Sequence, residues 1–309
     1  MFILYLCLLI FLVFLFVYFF LEFIREIKFK NQKYITENTL ILITGGCLGI
    51  GRELIRQLIL NYKCTIINID IRKDEFYNLK KEHGEKIINI YCDLNKEQDF
   101  EKLLLEKKIK IREINIIINN AAIAFNKPFE KLSKKEIKST FQINLLSPII
   151  LIKEIILQKE KNTNLHIITM GSIMSHMISK NSSDYISSKW GLYAFHECIR
   201  SEYLFRKDLF FTIFCPYIIN SGMFPNFKNP LPFILKVYNV KNITYHIIKS
   251  IILKDKIVFF PKFSYLIPFI IKFIPCFIMD FIQYYIFDYS VGKMGSRKDN
   301  YNLLNLKED

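Results

Sequence analysis

The sharpest chemical signal in this 309-residue chain is the pair Tyr185 and Lys189, in the run YISSK. On a helix, four-residue spacing puts both side chains on one face. A free phenol with a pKa of ~10 is a poor general base at neutral pH. A cation ~5 Å away at an effective ε of ~20 contributes about 3 kcal/mol, which would lower that value by roughly two units. Tyr185 is then expected to take the hydroxyl proton of an alcohol as hydride leaves, or to return it in reduction. Ser172, just after an apolar run, is placed to hydrogen-bond the same substrate oxygen. Asn144 lies in the preceding long helix and could hold a water linking Lys189 to solvent. Taken singly, each has a plainer reading, because YxxxK pairs are common on helix surfaces and a lone Ser or Asn is usually a cap or turn residue. The four gain weight by coming, in order, after a turn suited to a dinucleotide.

That turn runs from Leu40 to Gly51 and joins an apolar strand to a helix start. Glycine is scarce, 10 residues in all, where average usage would give roughly 20. Four of the ten fall between Gly45 and Gly51. Backbone must approach a pyrophosphate closely there, and the first helical turn must offer bare N–H groups, which excludes side chains at Gly45, Gly49 and Gly51. The spacing, TGxxxGxG, differs from the GxGxxG fingerprint. Asp70, ending the next strand, would reach the adenosine ribose hydroxyls. Its charge would oppose a 2′-phosphate by roughly 4 kcal/mol as an upper figure, at ~4 Å and an effective ε of ~20, so NAD is favoured. Arg72 and Lys73 come directly after it and offset that preference, which keeps NADP open.

The elements that must hold these residues alternate along the chain. Short β-branched runs at 39–44, 64–70, 86–91, 114–118, 165–170, 209–215 and 256–260 are separated by longer amphipathic stretches, among them 49–62, 96–108, 133–158, 184–206 and 240–253. Continuous apolar strands between helices predict an α/β domain over residues 39–260, a doubly wound parallel sheet of about seven strands, Rossmann-like, with its site at the C-terminal strand ends.

Both ends of the chain are apolar. Residues 1–21 carry no charge, and 17 of the 21 are Leu, Ile, Phe or Val. As a helix that run spans about 31 Å, the thickness of a hydrocarbon core. Residues 1–24 are therefore expected to be a transmembrane or monotopic membrane helix, and 25–38 a basic linker carrying Arg25, Lys28, Lys30 and Lys33. The positive-inside bias puts the chain beyond this helix in the cytosol. Residues 261–309 form an apolar extension and tail, broken by Lys262, Lys272 and Asp280. They are read either as an interfacial, substrate-covering segment or as a final helix packed on the core. The net charge of +14 lies outside the anchor and suits an anionic leaflet. No basic–aromatic cluster supports nucleic-acid binding. Hydrophobic content of 51% excludes a disordered chain. Seven widely spaced cysteines without a CxxC pair give no reason to expect a disulfide or a metal site.

Together these residues resemble the short-chain dehydrogenase/reductase family over residues 39–260. The string TGGCLGIG, which includes Cys47, Leu48 and Ile50, resembles the family's glycine motif. Asp93 and Leu94, in CDL, match its adenine-contacting aspartate and the residue after it, and Asn119, Asn120 and Ala121 match the NNA motif that steadies the central strand. Asn144, Ser172, Tyr185 and Lys189 match its catalytic tetrad, and Pro216, Ile218 and Ser221 fall on the stretch that contacts the nicotinamide. The resemblance implies that Gly45, Cys47, Leu48, Gly49, Ile50, Gly51, Asp70, Asp93, Leu94, Asn120, Ala121, Tyr185, Lys189, Pro216, Ile218 and Ser221 touch the cofactor. The anchor, Asp70, the string CPYIINSGMF at 215–224 and FHE at 195–197 resemble a membrane-anchored group that includes retinol dehydrogenases and lipid-droplet 17-beta-hydroxysteroid dehydrogenases. That narrower resemblance implies an apolar lipid alcohol or ketone as substrate and an endoplasmic reticulum or lipid-droplet location, with the catalytic domain facing the cytosol by the positive-inside bias, while the wider family resemblance implies a homodimer as one possible state. Two alternatives remain: an NADPH-dependent reductase of lipid synthesis, of 3-ketosphinganine or 3-ketoacyl-CoA type, and a non-catalytic lipid-droplet protein. Tyr217 stands where glycine is usual and Ser221 where threonine is, both at little functional risk, whereas Ser175, where relatives often carry glycine, bears on substrate identity together with Met174, His176 and Met177 around it.

Overall fold

The computed structural model describes residues 2–220, 222–224, 236–282 and 284–285. In chain order the main elements are α1 (Phe2–Asn31), β1 (Leu40–Thr44), α2 (Gly49–Tyr62), β2 (Thr65–Asp70), α3 (Lys73–His83), β3 (Ile87–Tyr91), α4 (Phe100–Leu105), β4 (Ile116–Asn119), α5 (Lys134–Phe141), α6 (Ser147–Gln158), β5 (Leu165–Met170), α7 (Ser183–Glu202), β6 (Leu209–Pro216), α8 (Val240–Leu253), β7 (Ile257–Phe260), α9 (Leu266–Phe273) and α10 (Cys276–Ile282).

The seven strands form one parallel sheet in the order β3-β2-β1-β4-β5-β6-β7. Isoleucine dominates them because both faces are covered, so there is no polar side to alternate with. Ile41 and Ile43 of β1 look to a core built with α2 and α8, and Leu42 between them looks to a second core built with α4, α6 and Ile199 of α7. The strand order reverses between β1 and β4, which opens a crevice at their C-terminal ends. Thr44 is in register with Ile69, and Ile43 with Ile118, so the ends of β1, β2 and β4 lie level around it.

Several expected elements differ in extent. The helix expected at 96–108 is confined to α4, because the Asp99 side chain caps it by accepting from the Lys102 N–H at 2.8 Å. The one expected at 133–158 starts on a capping box, Ser133 with Glu136, and is interrupted by a π-helical turn at Gln142–Leu146. By length and composition this stretch, Lys134–Gln158, is apolar enough to cross a membrane. Its Leu151, Ile152 and Ile155 are buried in the second core, so it belongs to the domain.

Helix α1 is continuous to Asn31, so the expected boundary at residues 24 and 25 falls inside it. Its last turns lie on α8. Arg25 is paired with Asp255 at 2.6 Å, Glu26 with Lys249, and the Phe29 ring meets Tyr245 edge-on at 5.7 Å. Beyond the helix Ile35 is buried, and the Tyr34 hydroxyl lies 3.3 Å from Nδ1 of His166 under β5. The basic stretch is therefore packed against the domain.

Candidate active site

The glycine turn brings three backbone segments together. Gly45 has φ +70°, and a Cβ there would stand 2.8 Å from Cα of Ala121; a Cβ on Gly51 would stand 2.2 Å from the Gly45 carbonyl oxygen. Neither position accepts a side chain without backbone movement. Asn120 ties the turn to β4, its amide donating to the carbonyls of Thr44 at 3.0 Å and Gly45 at 2.9 Å. The Thr44 hydroxyl accepts from the N–H groups of Asn120 and Ala121, both at 3.1 Å. Leu48 precedes α2 and supplies no side-chain cap, so the first-turn N–H groups of α2 are left for an anion.

Asp70 ends β2 beside this turn. Its Oδ2 accepts the Cys47 N–H at 2.9 Å and its Oδ1 accepts the Arg72 N–H at 3.0 Å, which fixes the carboxylate at the crevice edge. Lys73, expected to offset that charge, instead lies over the Tyr91 ring at 4.0 Å, while Arg72 lines the cleft. A carboxylate for ribose hydroxyls, a bare helix N-terminus and glycines where backbone must come close are the donor set a dinucleotide needs, so the residues fit NAD(P).

At the other end of the cleft, β5 and α7 bring Ser172, Tyr185 and Lys189 together. Ser172 hydrogen-bonds the Tyr185 phenol, and its Oγ also accepts the Met174 N–H at 3.1 Å. Lys189 donates from Nζ to the Met170 carbonyl at 2.8 Å, and Nζ lies 5.9 Å from the Tyr185 ring centroid. Burial pushes the Tyr185 phenol up to about 12, against the Ser172 hydrogen bond, and pushes Lys189 down to about 8. This reverses the expectation that the lysine lowers the phenol. Both groups are buried, and the hydration lost by a phenolate outweighs attraction to an ammonium that burial itself disfavours. The phenol is therefore the resting form, set to give its proton to a carbonyl oxygen, and taking a proton from an alcohol requires the phenolate that Lys189, when charged, favours.

Asn144 sits in the π-helical turn. Its Oδ1 accepts the Ile123 N–H at 2.8 Å, and its Nδ2 donates to the Ile123 carbonyl at 2.9 Å and the Ser188 hydroxyl at 3.1 Å. The amide thus locks the segment after β4 to α7. Asn144 and Lys189 do meet, across a small cavity they line with Thr44, Asn119 and Ser147.

Gly45, Leu48, Gly49, Ile50, Asp70, Asp93, Leu94, Asn120, Ala121 and Pro216 line the cleft with Ser172, Tyr185 and Lys189. Cys47 and Gly51 lie beneath it, Cys47 buried and Gly51 packed on Gly45. Ile218 turns toward a cluster around Ile173 and Phe259, and Tyr217 and Ile219 line the cleft on either side of it. Ser221 lies outside the described residues. The sequence motifs did not reveal the apolar wall formed by Ile219, Met223 and Phe224, whose Phe224 ring meets Tyr185 edge-on at 5.6 Å. Alternation along YIINSGMF was the available signal for Tyr217 and Ile219, since neighbours in extended chain face opposite ways.

Residues 39–231 match the short chain dehydrogenase family. An uncharacterized oxidoreductase of Saccharomyces cerevisiae, TDA5, is 28% identical over 219 residues, 69% of this chain, and the match spans 65% of that relative's length. Epidermal retinol dehydrogenase 2 of Mus musculus is 26% identical over 76% of this chain and 78% of its own. Among solved structures, 4-hydroxyisoleucine dehydrogenase complexed with NADH superposes with a TM-score of 0.63, covering 72% of this chain and 96% of that one, and its 19% identity supports the likeness in fold alone. With a family match over most of its length and a nucleotide crevice that leads to a Ser–Tyr–Lys group, the chain belongs to the short chain dehydrogenase family, oxidoreductases that act on alcohol groups with NAD(P).

Proposed function

We propose that the protein is a membrane-bound oxidoreductase that transfers a hydride between NAD(H) and an apolar lipid alcohol or ketone, a retinoid, steroid or similar molecule. One observation carries this reading: a single cleft has the Asp70 carboxylate at one end and, at the other, the Ser172–Tyr185 pair walled by Ile219, Met223 and Phe224. When bound, NAD(H) supplies the hydride acceptor or donor. Tyr185 gives its phenolic proton to the substrate oxygen in reduction and takes the alcohol proton in oxidation. Ser172 hydrogen-bonds that oxygen and fixes its distance from Tyr185. Lys189, on the same face of α7, makes the phenolate less costly when it carries a proton, and Asn144 positions α7 against the segment after β4.

The uncharged run 1–21 supports reading residues 1–24 as the membrane anchor. On this reading the catalytic domain, 39–260, faces the cytosol from the endoplasmic reticulum membrane or a lipid droplet, with two copies joined as a dimer. Asp70 supports NAD. Arg72, lining the cleft beside it, favours a second reading, the NADPH-dependent reductase of lipid synthesis. The experiment is to follow NADH formation by membranes containing the full chain, offered retinol, steroids and long-chain secondary alcohols, with NADP as a competing arm. Turnover with NAD on any of them supports the proposal. A strong NADP preference supports the second reading, and failure to exceed a Tyr185→Phe control on every substrate removes the lipid-alcohol class.

A further inference from the structure

Helix α10 reads CFIMDFI, and none of its residues is buried; Phe277 is 72% exposed, Phe281 59% and Ile278 40%. In α9, LIPFIIKF, Ile267 packs against the cluster of Tyr217 and Phe259, while Leu266 and Ile270 are 59% and 48% exposed. Tyr284 and Tyr285 continue the exposed run, with ring centroids 4.8 Å apart. A helix this apolar is ordinarily covered, and a contiguous patch of this kind marks an interaction surface.

Position and chemistry both indicate what covers it. Lys262, opening the turn that leads into α9, is ion-paired with Glu22 of α1, the first charged residue after the uncharged run. The segment therefore leaves the domain where the anchor does, at the level of a bilayer surface. Its polar groups are those of an interfacial segment: Lys272, whose long stem lets the charge reach headgroups, Lys262 in its pair with Glu22, and Tyr265, Tyr284 and Tyr285. The single acid, Asp280, falls at the edge of the Phe277–Phe281–Ile278 face at 100° per residue.

We infer that α9 and α10 lie in the headgroup–acyl boundary of the bilayer that α1 enters, as a second membrane contact beside the substrate end of the cleft. Two contacts hold them there. Ile267 packs on the cluster that includes Tyr217, a cleft residue, and Tyr284 lies under Lys180, 5.4 Å from its ring centroid, in the segment between Ser172 and Tyr185. An apolar alcohol then reaches Tyr185 from the bilayer without crossing water. The inference rests on the reading of α1 as an anchor.

The test uses the full chain in vesicles of phosphatidylcholine and phosphatidylserine with acyl-brominated lipid as quencher. Trp190, the only tryptophan, is replaced by Phe, and single reporters are introduced as Phe277→Trp, Tyr5→Trp in α1 and Leu157→Trp in α6. The expected result is a loss of Phe277→Trp emission comparable with that of Tyr5→Trp, and none for Leu157→Trp. Quenching of Tyr5→Trp with Phe277→Trp behaving like Leu157→Trp overturns the inference and leaves the anchor standing. Loss of neither signal removes the anchor and the inference together. An unquenched Phe277→Trp emission that shifts to the blue as protein concentration rises assigns the face to a second copy and also overturns it. As a second measurement, Phe277→Glu with Phe281→Glu is expected to keep turnover of a water-soluble secondary alcohol while raising KM severalfold for a vesicle-embedded one. Equal effects on both substrates contradict delivery from the bilayer.

Discussion

Replacing Asp70 with Asn removes the charge that is held at the crevice edge by the N–H groups of Cys47 and Arg72, at 2.9 and 3.0 Å. A carboxylate ~4 Å from a 2′-phosphate at an effective ε of ~20 is repelled by about 4 kcal/mol as an upper figure. The two N–H donors already draw on that charge, and Arg72 lines the same cleft, so a third of the upper figure is the more realistic share. That share, about 1.4 kcal/mol, is a tenfold change in preference, and the full figure would approach a thousandfold. Asp70→Asn is therefore expected to raise the ratio of kcat/KM with NADP to kcat/KM with NAD by at least about tenfold. The amide also turns an N–H group toward one of the two backbone donors and leaves that donor unpaired, which destabilises the fold by about 1–3 kcal/mol. This loss affects both cofactors equally and cancels in the ratio. The assay is initial rates on one alcohol with each cofactor well below its KM. A ratio that moves by less than about twofold, or a wild-type enzyme that already prefers NADP, refutes the assignment of Asp70 to the ribose.

Gly51→Ala would drive a Cβ to 2.2 Å from the Gly45 carbonyl, so it is expected to lower the thermal midpoint and weaken NADH binding by at least about tenfold, read by fluorescence titration. Asn144→Ala leaves the Ile123 N–H and carbonyl unpaired and should destabilise the domain by about 2–4 kcal/mol in urea unfolding, with activity falling as α7 loosens. Burial holds His166 down to about 3 and His196 down to about 4, so each stays neutral in the folded state while the unfolded chain takes up protons below about 6.5. Stability is then fully present above pH 6.5 and falls as pH drops toward 4, by about 3 kcal/mol for His166 at that point. Thermal midpoints of wild type and His166→Gln from pH 7 to 4 check this, since the variant should lose the His166 share of the slope.

The parallel sheet was legible because its strands are isoleucine runs buried on both faces: β5 begins and ends where the apolar run does, and the other strands shift by a residue or two where a turn or cap takes over. Helices α2 and α8 kept their expected limits because each is a long amphipathic stretch. The break in 133–158 was not legible, since QINLL reads as ordinary helix; the break is set by a tertiary demand, the Asn144 amide reaching both backbone groups of Ile123. Fixed-spacing motifs brought Ser172, Tyr185 and Lys189 to one place. Their electrostatics could not be read the same way, because a pairwise attraction is visible in sequence and the depth of burial that opposes it is not. Neither was the packing of the basic stretch on α8, which depends on Asp255 and Lys249, both far along the chain from α1.

The central claim, hydride transfer assisted by Tyr185, is tested most directly by following one label. A secondary lipid alcohol bearing deuterium on its carbinol carbon is given to the full chain in membranes with NAD, and the nicotinamide product is analysed by mass spectrometry in a single turnover. The account predicts deuterium in the NADH formed by wild type, and a rate lower by at least about a hundredfold in Tyr185→Phe, the usual scale of lost acid–base assistance. NADH without the label, or undiminished transfer in Tyr185→Phe, would contradict it.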